Sequence, residues 1–142
     1  MSQQSTPSDI HPCLSYDDAA QAIDWLCKAF GFVKRFAVTG PDGSIQHSEL
    51  SLGTGVIMVS SSKPQASLVS PRRTNGLLSQ ALSVYVPDPD AHHQIAVAAG
   101  AKITRLLQDE AYGARGYMVE DMEGHQWYFG NYRPGAYWGQ AD

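Results

Sequence analysis

The sequence predicts an α+β domain built from two tandem copies of a strand, helix, strand, strand, strand unit. Three observations carry that reading: a spacing of 69 to 70 residues that recurs along the chain, short runs in which apolar and polar residues alternate, and two Ala-rich stretches with helical periodicity. LSYDDAAQAIDWLCKAFGF, from Leu14, and SVYVPDPDAHHQIAVAAGA, from Ser83, follow one plan of strand, Asp, periodic stretch and Gly. Asp18 and Asp88 suit helix N-caps and stand 70 residues apart; Gly31 and Gly100 suit the left-handed position past a helix end and stand 69 apart. Gly55, in the turn LGTG, and Gly124, in the turn DMEG, repeat the spacing of 69, each between two strand-like runs.

Residues 1–9, MSQQSTPSD, are polar and are expected to be disordered. The first unit, residues 10–60, opens with a strand near 10–15. A helix over about 18–30 follows, because Ala19, Ala22, Ile23, Leu26, Ala29 and Phe30 recur at intervals of three and four and form one apolar stripe. Strands are expected near 32–39, 44–52 and 55–60. Residues 61–80 are rich in Ser and Pro, and a connection this long is expected to be a lid, a swap linker or disordered. The second unit, residues 81–132, repeats the plan with strands near 81–86, 101–107, 115–120 and 125–132. Its helix, about 89–99, is expected to bury Ala91, Ile95, Ala98 and Ala99 and to leave His92 and His93 in solvent. The tail, residues 133–142, is aromatic and is expected to lie on its own domain or on a partner chain. The whole forms one structural domain, and at 142 residues such a chain buries about two thirds of its unfolded surface.

Charge and cysteine content narrow the function. A net charge of −4, with basic residues clustered no further than the pairs Lys34-Arg35 and Arg72-Arg73, argues against a phosphate-binding groove, so no nucleic acid is expected. Cys13 and Cys27 match neither a zinc spacing nor a disulfide framework, and neither a signal peptide nor a long apolar run is present; a cytoplasmic protein without a membrane partner is expected.

Strand alternation sorts residues between two faces. Leu50, Leu52, Ile57, Val59, Trp127 and Phe129 take the helix side. The opposite side gathers His11, Cys13, His47, Glu49, Met58 and Ser60 from the first half. From the second half come Ala81, Ser83, Tyr85, Met118, Gln126 and Tyr128. Imidazoles, a carboxylate, hydroxyls, thioethers and phenols on one face read as a ligand wall rather than a core or a plain surface.

The doubled unit, with AAQAIDWLCKAFGF in the first half and YGARGYMVEDMEGHQWYFGNY in the second, resembles the vicinal oxygen chelate superfamily of glyoxalase I, bleomycin-resistance proteins and extradiol dioxygenases. The resemblance spans about Ile10 to Tyr132. It implies two βαβββ modules whose curved mixed sheets enclose a cleft, often completed by pairing two chains, and hence a homodimer. It also implies four metal ligands, one on the first and one on the last strand of each module. Carried onto this chain, these positions are His11, Met58, Ala81 and Tyr128, and only His11 is a usual ligand. The expectation is therefore a cleft without the superfamily's metal or any other cofactor. It would bind a small organic molecule, in the manner of the metal-free branch that resembles bleomycin-resistance proteins.

Within that wall the expected ligand-binding residues are His11, His47, Glu49, Met58, Ser83, Tyr85, Met118 and Tyr128. Glu49 among tyrosines and methionines suits a cationic or aromatic, antibiotic-like ligand. The alternative is a metal-dependent lyase, isomerase or dioxygenase in which His11, His47 and Glu49 hold a divalent ion as a two-His-one-carboxylate set. A third reading is a partner-binding module whose wall is filled by its own side chains. His125 is expected to bond within its turn, and Arg115 to pair with Asp121 or Glu123.

Overall fold

The computed structural model describes residues 8–136 and Trp138. The expected disorder of residues 1–9 therefore falls largely outside the described residues, as does most of the tail beyond 136. Two four-stranded mixed sheets repeat one topology. In the first, β1 (Cys13–Tyr16), β2 (Val33–Thr39), β3 (Ile45–Leu52) and β4 (Gly55–Ser61) lie in the order β1-β4-β3-β2, with α1 (Ala19–Phe30) after β1. In the second, β5 (Leu82–Tyr85), β6 (Lys102–Asp109), β7 (Arg115–Glu120) and β8 (Gln126–Gly130) lie in the order β5-β8-β7-β6, with α2 (Pro89–Ala98) after β5. The first and last strands of each module run parallel, and the register itself repeats: Cys13 pairs with Met58, and Ser83 with Tyr128.

Each helix is capped as its sequence dictates. The Asp18 carboxylate accepts from Gln21 N at 3.2 Å and that of Asp88 from Ala91 N at 3.1 Å, while Gly31 turns the chain out of α1 at φ +86°. The stripe of α1 is buried as the periodicity requires.

For α2 the expectation is wrong by one residue. Ile95 and Ala98 are exposed, and the buried side runs through Pro89, His92 and Ala96, a rotation of about 100°. The cause is His92, which is not a solvent residue. Its Nε2 bonds Phe30 O at 2.8 Å, its Nδ1 bonds the Tyr117 hydroxyl at 2.7 Å, and its ring packs 4.2 Å from that of Phe129. A histidine with both nitrogens satisfied competes successfully for a buried position that Ile95 would otherwise fill.

Burial lowers the His92 pKa below the ordinary imidazole value. The sign follows: the neutral ring is the form that folding favours, so its contribution is full above the unfolded pKa of about 6.5 and is lost as pH falls toward the lower folded value. Denaturation at pH 7.5 and pH 5.5 is expected to show a loss of stability in acid that shrinks in His92→Gln; an unchanged difference would assign the acid sensitivity elsewhere.

The two modules share one core. Phe30, at the end of α1, reaches the underside of the second sheet, with its ring centroid 5.4 Å from Trp127 and 4.6 Å from Phe129. Trp25 Nε1 donates to Ala99 O at 3.0 Å across the same seam.

The turn between β7 and β8 supplies a second tie. Asp121 accepts from the Tyr16 hydroxyl at 2.6 Å, from Trp127 Nε1 at 3.1 Å, and from the backbone N–H groups of Glu123, Gly124 and His125. Glu123 accepts from Asp17 N, Asp18 N and Ser70 Oγ, and Arg72 lies 3.4 Å away. His125 bonds within its turn through its backbone, its N–H to the Asp121 carboxylate and its carbonyl to Asp121 N, while its ring Nε2 bonds Ser15 O at 2.8 Å across the modules. With Asp121 and Glu123 turned inward, Arg115 pairs instead with Asp90 and Asp109.

Residues 61–80 are an ordered strap on their own chain. Lys63 bridges Leu68, two short 3-10 turns follow (Pro64–Ala66 and Pro71–Arg73), and Arg73 pairs with Asp17 at 2.7 Å.

Candidate functional site on the open sheet faces

Helices cover one face of each sheet and leave the other open, which divides the strands as the alternation requires. Trp127 and Phe129 are buried while Gln126 and Tyr128 are partly exposed; Leu50 is buried while His47 and Glu49 are not. On the first open face His47 Nε2 lies 3.1 Å from Glu49 Oε2, and the His47 ring lies 5.5 Å from that of Phe36. β2 contributes Val33, Phe36 and Val38, which keep 49%, 45% and 44% of their surface exposed. Arg35 Nε donates to Ser51 Oγ at 2.8 Å. Met58 and Cys13 lie side by side at the far side of the sheet.

The second open face is organised around Tyr128. Its ring does not stand away from the sheet. It lies across Gly116 and Gly130, which pair in register on β7 and β8: a Cβ added at Gly130 would meet the Tyr128 hydroxyl at 2.5 Å, and one at Gly116 would also collide with the ring. The hydroxyl donates to Glu110 Oε2 at 3.0 Å. Burial raises the Tyr128 pKa above the usual phenol value, and the Tyr112 hydroxyl and the Glu110 carboxylate act in the same direction, so the phenol is a donor at neutral pH. Glu110 also pairs with Arg105, whose guanidinium carbon sits 5.6 Å from the Tyr128 ring centroid. Burial alone would raise the Glu110 pKa, but bonds from Arg105 and Tyr128 outweigh it and hold the carboxyl below its usual value.

Gly130→Ala is expected to lift the Tyr128 ring and break its bond to Glu110, at a cost of about 1–2 kcal/mol. Adding Tyr128→Ala should recover most of the ring-clash share, so a double-mutant cycle by chemical denaturation checks it; additive losses would mean that the ring does not occupy the glycine floor.

The expected site residues are thus only partly gathered. His47, Glu49 and Met58 share the first open face; Ser83, Met118 and Tyr128 share the second, with Ser83 and Met118 flanking Tyr128 in register. Tyr85, two residues on from Ser83 in β5, stays 37% exposed and carries the Arg133 guanidinium 3.8 Å from its ring centroid. His11 precedes β1 and is exposed; the register sets Cys13, not His11, beside Met58, and Ser83, not Ala81, beside Tyr128. Among the described residues of one chain no group of three His, Cys, Asp or Glu side chains is placed to hold an ion, His11, His47 and Glu49 included. The inherited positions fit an ion no better, since Met58 offers a thioether and the Tyr128 hydroxyl is committed to Glu110. Phe36, Arg105 and Glu110 escaped the sequence reading.

A cavity of about 540 Å³ lies elsewhere, where the strap meets the seam, lined by Trp25, Arg72, Lys102, Glu120 and Met122 among others; none of the expected wall residues lines it. Within one chain the wall is therefore an open surface rather than an enclosed pocket. Among the described residues no helix is long and apolar enough to cross a membrane.

Comparison with known proteins agrees with this architecture. The chain is 36% identical over 124 residues to Uncharacterized protein Mb0911c of Mycobacterium bovis, covering 85% of this chain and 81% of that one. It superposes on the crystal structure of TioX from Micromonospora sp. ML1 with a TM-score of 0.69 and 35% identity, covering 87% of this chain and 94% of that one. An E144Q glyoxalase I mutant from Zea mays shares the fold alone, at TM-score 0.65 and 13% identity over 86% of this chain and 44% of that one. With its family model matching residues 10–129 and two βαβββ modules in place, the chain belongs to the Glyoxalase/Bleomycin resistance protein/Dioxygenase superfamily.

Proposed function

We propose that the protein binds a small organic molecule, aromatic or cationic in character, against its open sheet faces, and that a second copy of the chain closes the site. The observation that carries this is the first open face, where Val33, Phe36 and Val38 stay nearly half-exposed beside a carboxylate and an imidazole. A cluster of apolar side chains held open on a sheet, rimmed by polar groups, marks a surface meant to be covered. Glu49 supplies charge for a cation, Phe36 and Tyr128 supply ring faces, and Met58 and Met118 supply adaptable packing. Membership of a superfamily that counts bleomycin-resistance proteins supports a binding role. Free Cys13 and Cys27 suit a cytoplasmic setting.

Native mass spectrometry of the purified protein is expected to give a dimer, with or without a co-purified small molecule. Thermal-shift screening with aromatic, cationic and antibiotic-like compounds is expected to yield a stabilising ligand, worth about 2.7 kcal/mol at 100 times its Kd. Tyr128→Ala should weaken that ligand and leave the fold intact. A strict monomer that no compound stabilises, or an affinity indifferent to Tyr128→Ala, would refute the proposal.

A further inference from the structure

We infer that Arg105 is the specificity-determining group of the second open face, and that it reads an acceptor oxygen on a neutral, planar ligand laid against Tyr128. The inference rests on the reading of the open faces as the ligand surface. It comes from comparing two arginines on neighbouring strands whose side chains are equally exposed, at 35% each. Arg115 is saturated: Nε and Nη2 each reach Asp90 at 3.0 Å, and Nη1 reaches Asp109 at 3.2 Å. A guanidinium whose fork is filled on every nitrogen is a structural clamp.

Arg105 is not. Its Nη2 bonds Glu110, its Nη1 has no bond among the described residues, and its Nε is buried without an acceptor. A guanidinium presents five N–H donors in a rigid fork, and a buried donor left unpaired is costly, so turning Arg105 toward an incoming oxygen sacrifices nothing on the Nε side. Arg105 is poised where Arg115 is spent.

Charge selects the ligand class. Glu110 already neutralises Arg105 and is held ionised by it. A ligand carboxylate at Arg105 would bring a second anion up to Glu110, whereas a carbonyl or amide oxygen meets the guanidinium without that repulsion. Shape comes from the floor. Tyr128 is pressed flat over Gly116 and Gly130, with the Met118 thioether opposite it in register, a surface that suits a planar ring. Glu110 contacts both Arg105 and Tyr128 and acts as the positioning residue.

The test uses three probes of one ring size on the isotope-labelled full chain, followed by NMR shift titration: benzamide, benzoate and toluene. Benzamide is expected to bind at the Tyr128 face at least about tenfold more tightly than the other two. Glu110→Gln, which leaves the Arg105 charge uncompensated, is expected to reverse the order of benzamide and benzoate. Arg105→Gln should abolish the preference, and if that variant does not fold, the Glu110→Gln reversal decides. Probes that shift open-face resonances with no preference, or with one that survives Arg105→Gln or is unmoved by Glu110→Gln, would overturn the inference while leaving the ligand surface in place. Failure of all three at millimolar concentration to shift any open-face resonance would overturn both.

Discussion

Asp121→Ala is expected to cost about 4 kcal/mol of unfolding free energy, because one buried carboxylate satisfies five donors drawn from three parts of the fold. Tyr16 brings β1 to it, Trp127 brings β8, and three backbone N–H groups converge from the turn itself. Truncation strands all five in a site with almost no solvent access; Asp121 is 5% exposed and Tyr16 and Trp127 are fully buried. Burial, the largest of the causes that hold the Tyr16 pKa well above the usual phenol value, outlasts the truncation, so the tyrosine remains a donor and cannot relieve the loss by ionising. Asp121→Asn separates charge from shape. Its amide oxygen can keep the backbone trio, but its NH2 faces the Trp127 N–H donor to donor, and a loss of about 2 kcal/mol is expected. Urea denaturation followed by tryptophan fluorescence measures both; a loss below about 1 kcal/mol for Asp121→Ala would mean that water replaces the carboxylate without penalty.

That turn also shows what the sequence could reveal. The run EDMEGH reads as a tight turn at the repeat spacing, and so it folds. The destination of its two inward carboxylates was not readable, since Glu123 depends on the Ser70 strap and on Asp17 and Asp18, and Asp121 on Tyr16, all more than 50 residues away. Cap residues, the α1 stripe and strand parity outside β2 and β6 are local signals, and all three survive in the structure because local geometry and burial agree there. The α2 stripe failed where a histidine with two partners outcompeted isoleucine.

Phe36 and Arg105 were missed for one shared reason. β2 has an irregularity between Lys34 and Phe36, and β6 has one between Ile103 and Arg105, each 69 residues from its counterpart. An extra residue breaks the period of two that assigns side chains to faces. The duplication nonetheless places Phe36 opposite Glu49 and Arg105 opposite Met118, equivalent positions carrying different chemistry. The two modules have thus kept one backbone while diverging at the positions that look outward: a carboxylate with an aromatic on one face, a guanidinium with a tyrosine on the other.

Phe30→Ala is expected to cost about 4 kcal/mol, at the upper part of the range for buried aromatics. The ring is fully buried and touches Trp25 from its own helix and His92, Trp127 and Phe129 from the other module. Removing it opens a void at the seam rather than inside either module, and the backbone oxygen of the same residue is what His92 Nε2 binds, so relaxation of the helix end would loosen a second tie. Because one cluster of buried residues runs through both modules, the wild-type chain should unfold in a single transition, with far-ultraviolet circular dichroism and tryptophan fluorescence superimposed. Phe30→Ala separates two pictures of that cooperativity. If the seam is an integral part of the core, the midpoint falls and the two probes stay coincident, since neither module buries enough surface alone to outlast the other. If the modules are autonomous units joined by a dispensable contact, fluorescence from Trp25 and Trp127 at the seam changes before the circular dichroism signal, and the transition splits. Coincident probes with a lowered midpoint are the expected result; a split transition would show that each βαβββ module holds its own fold.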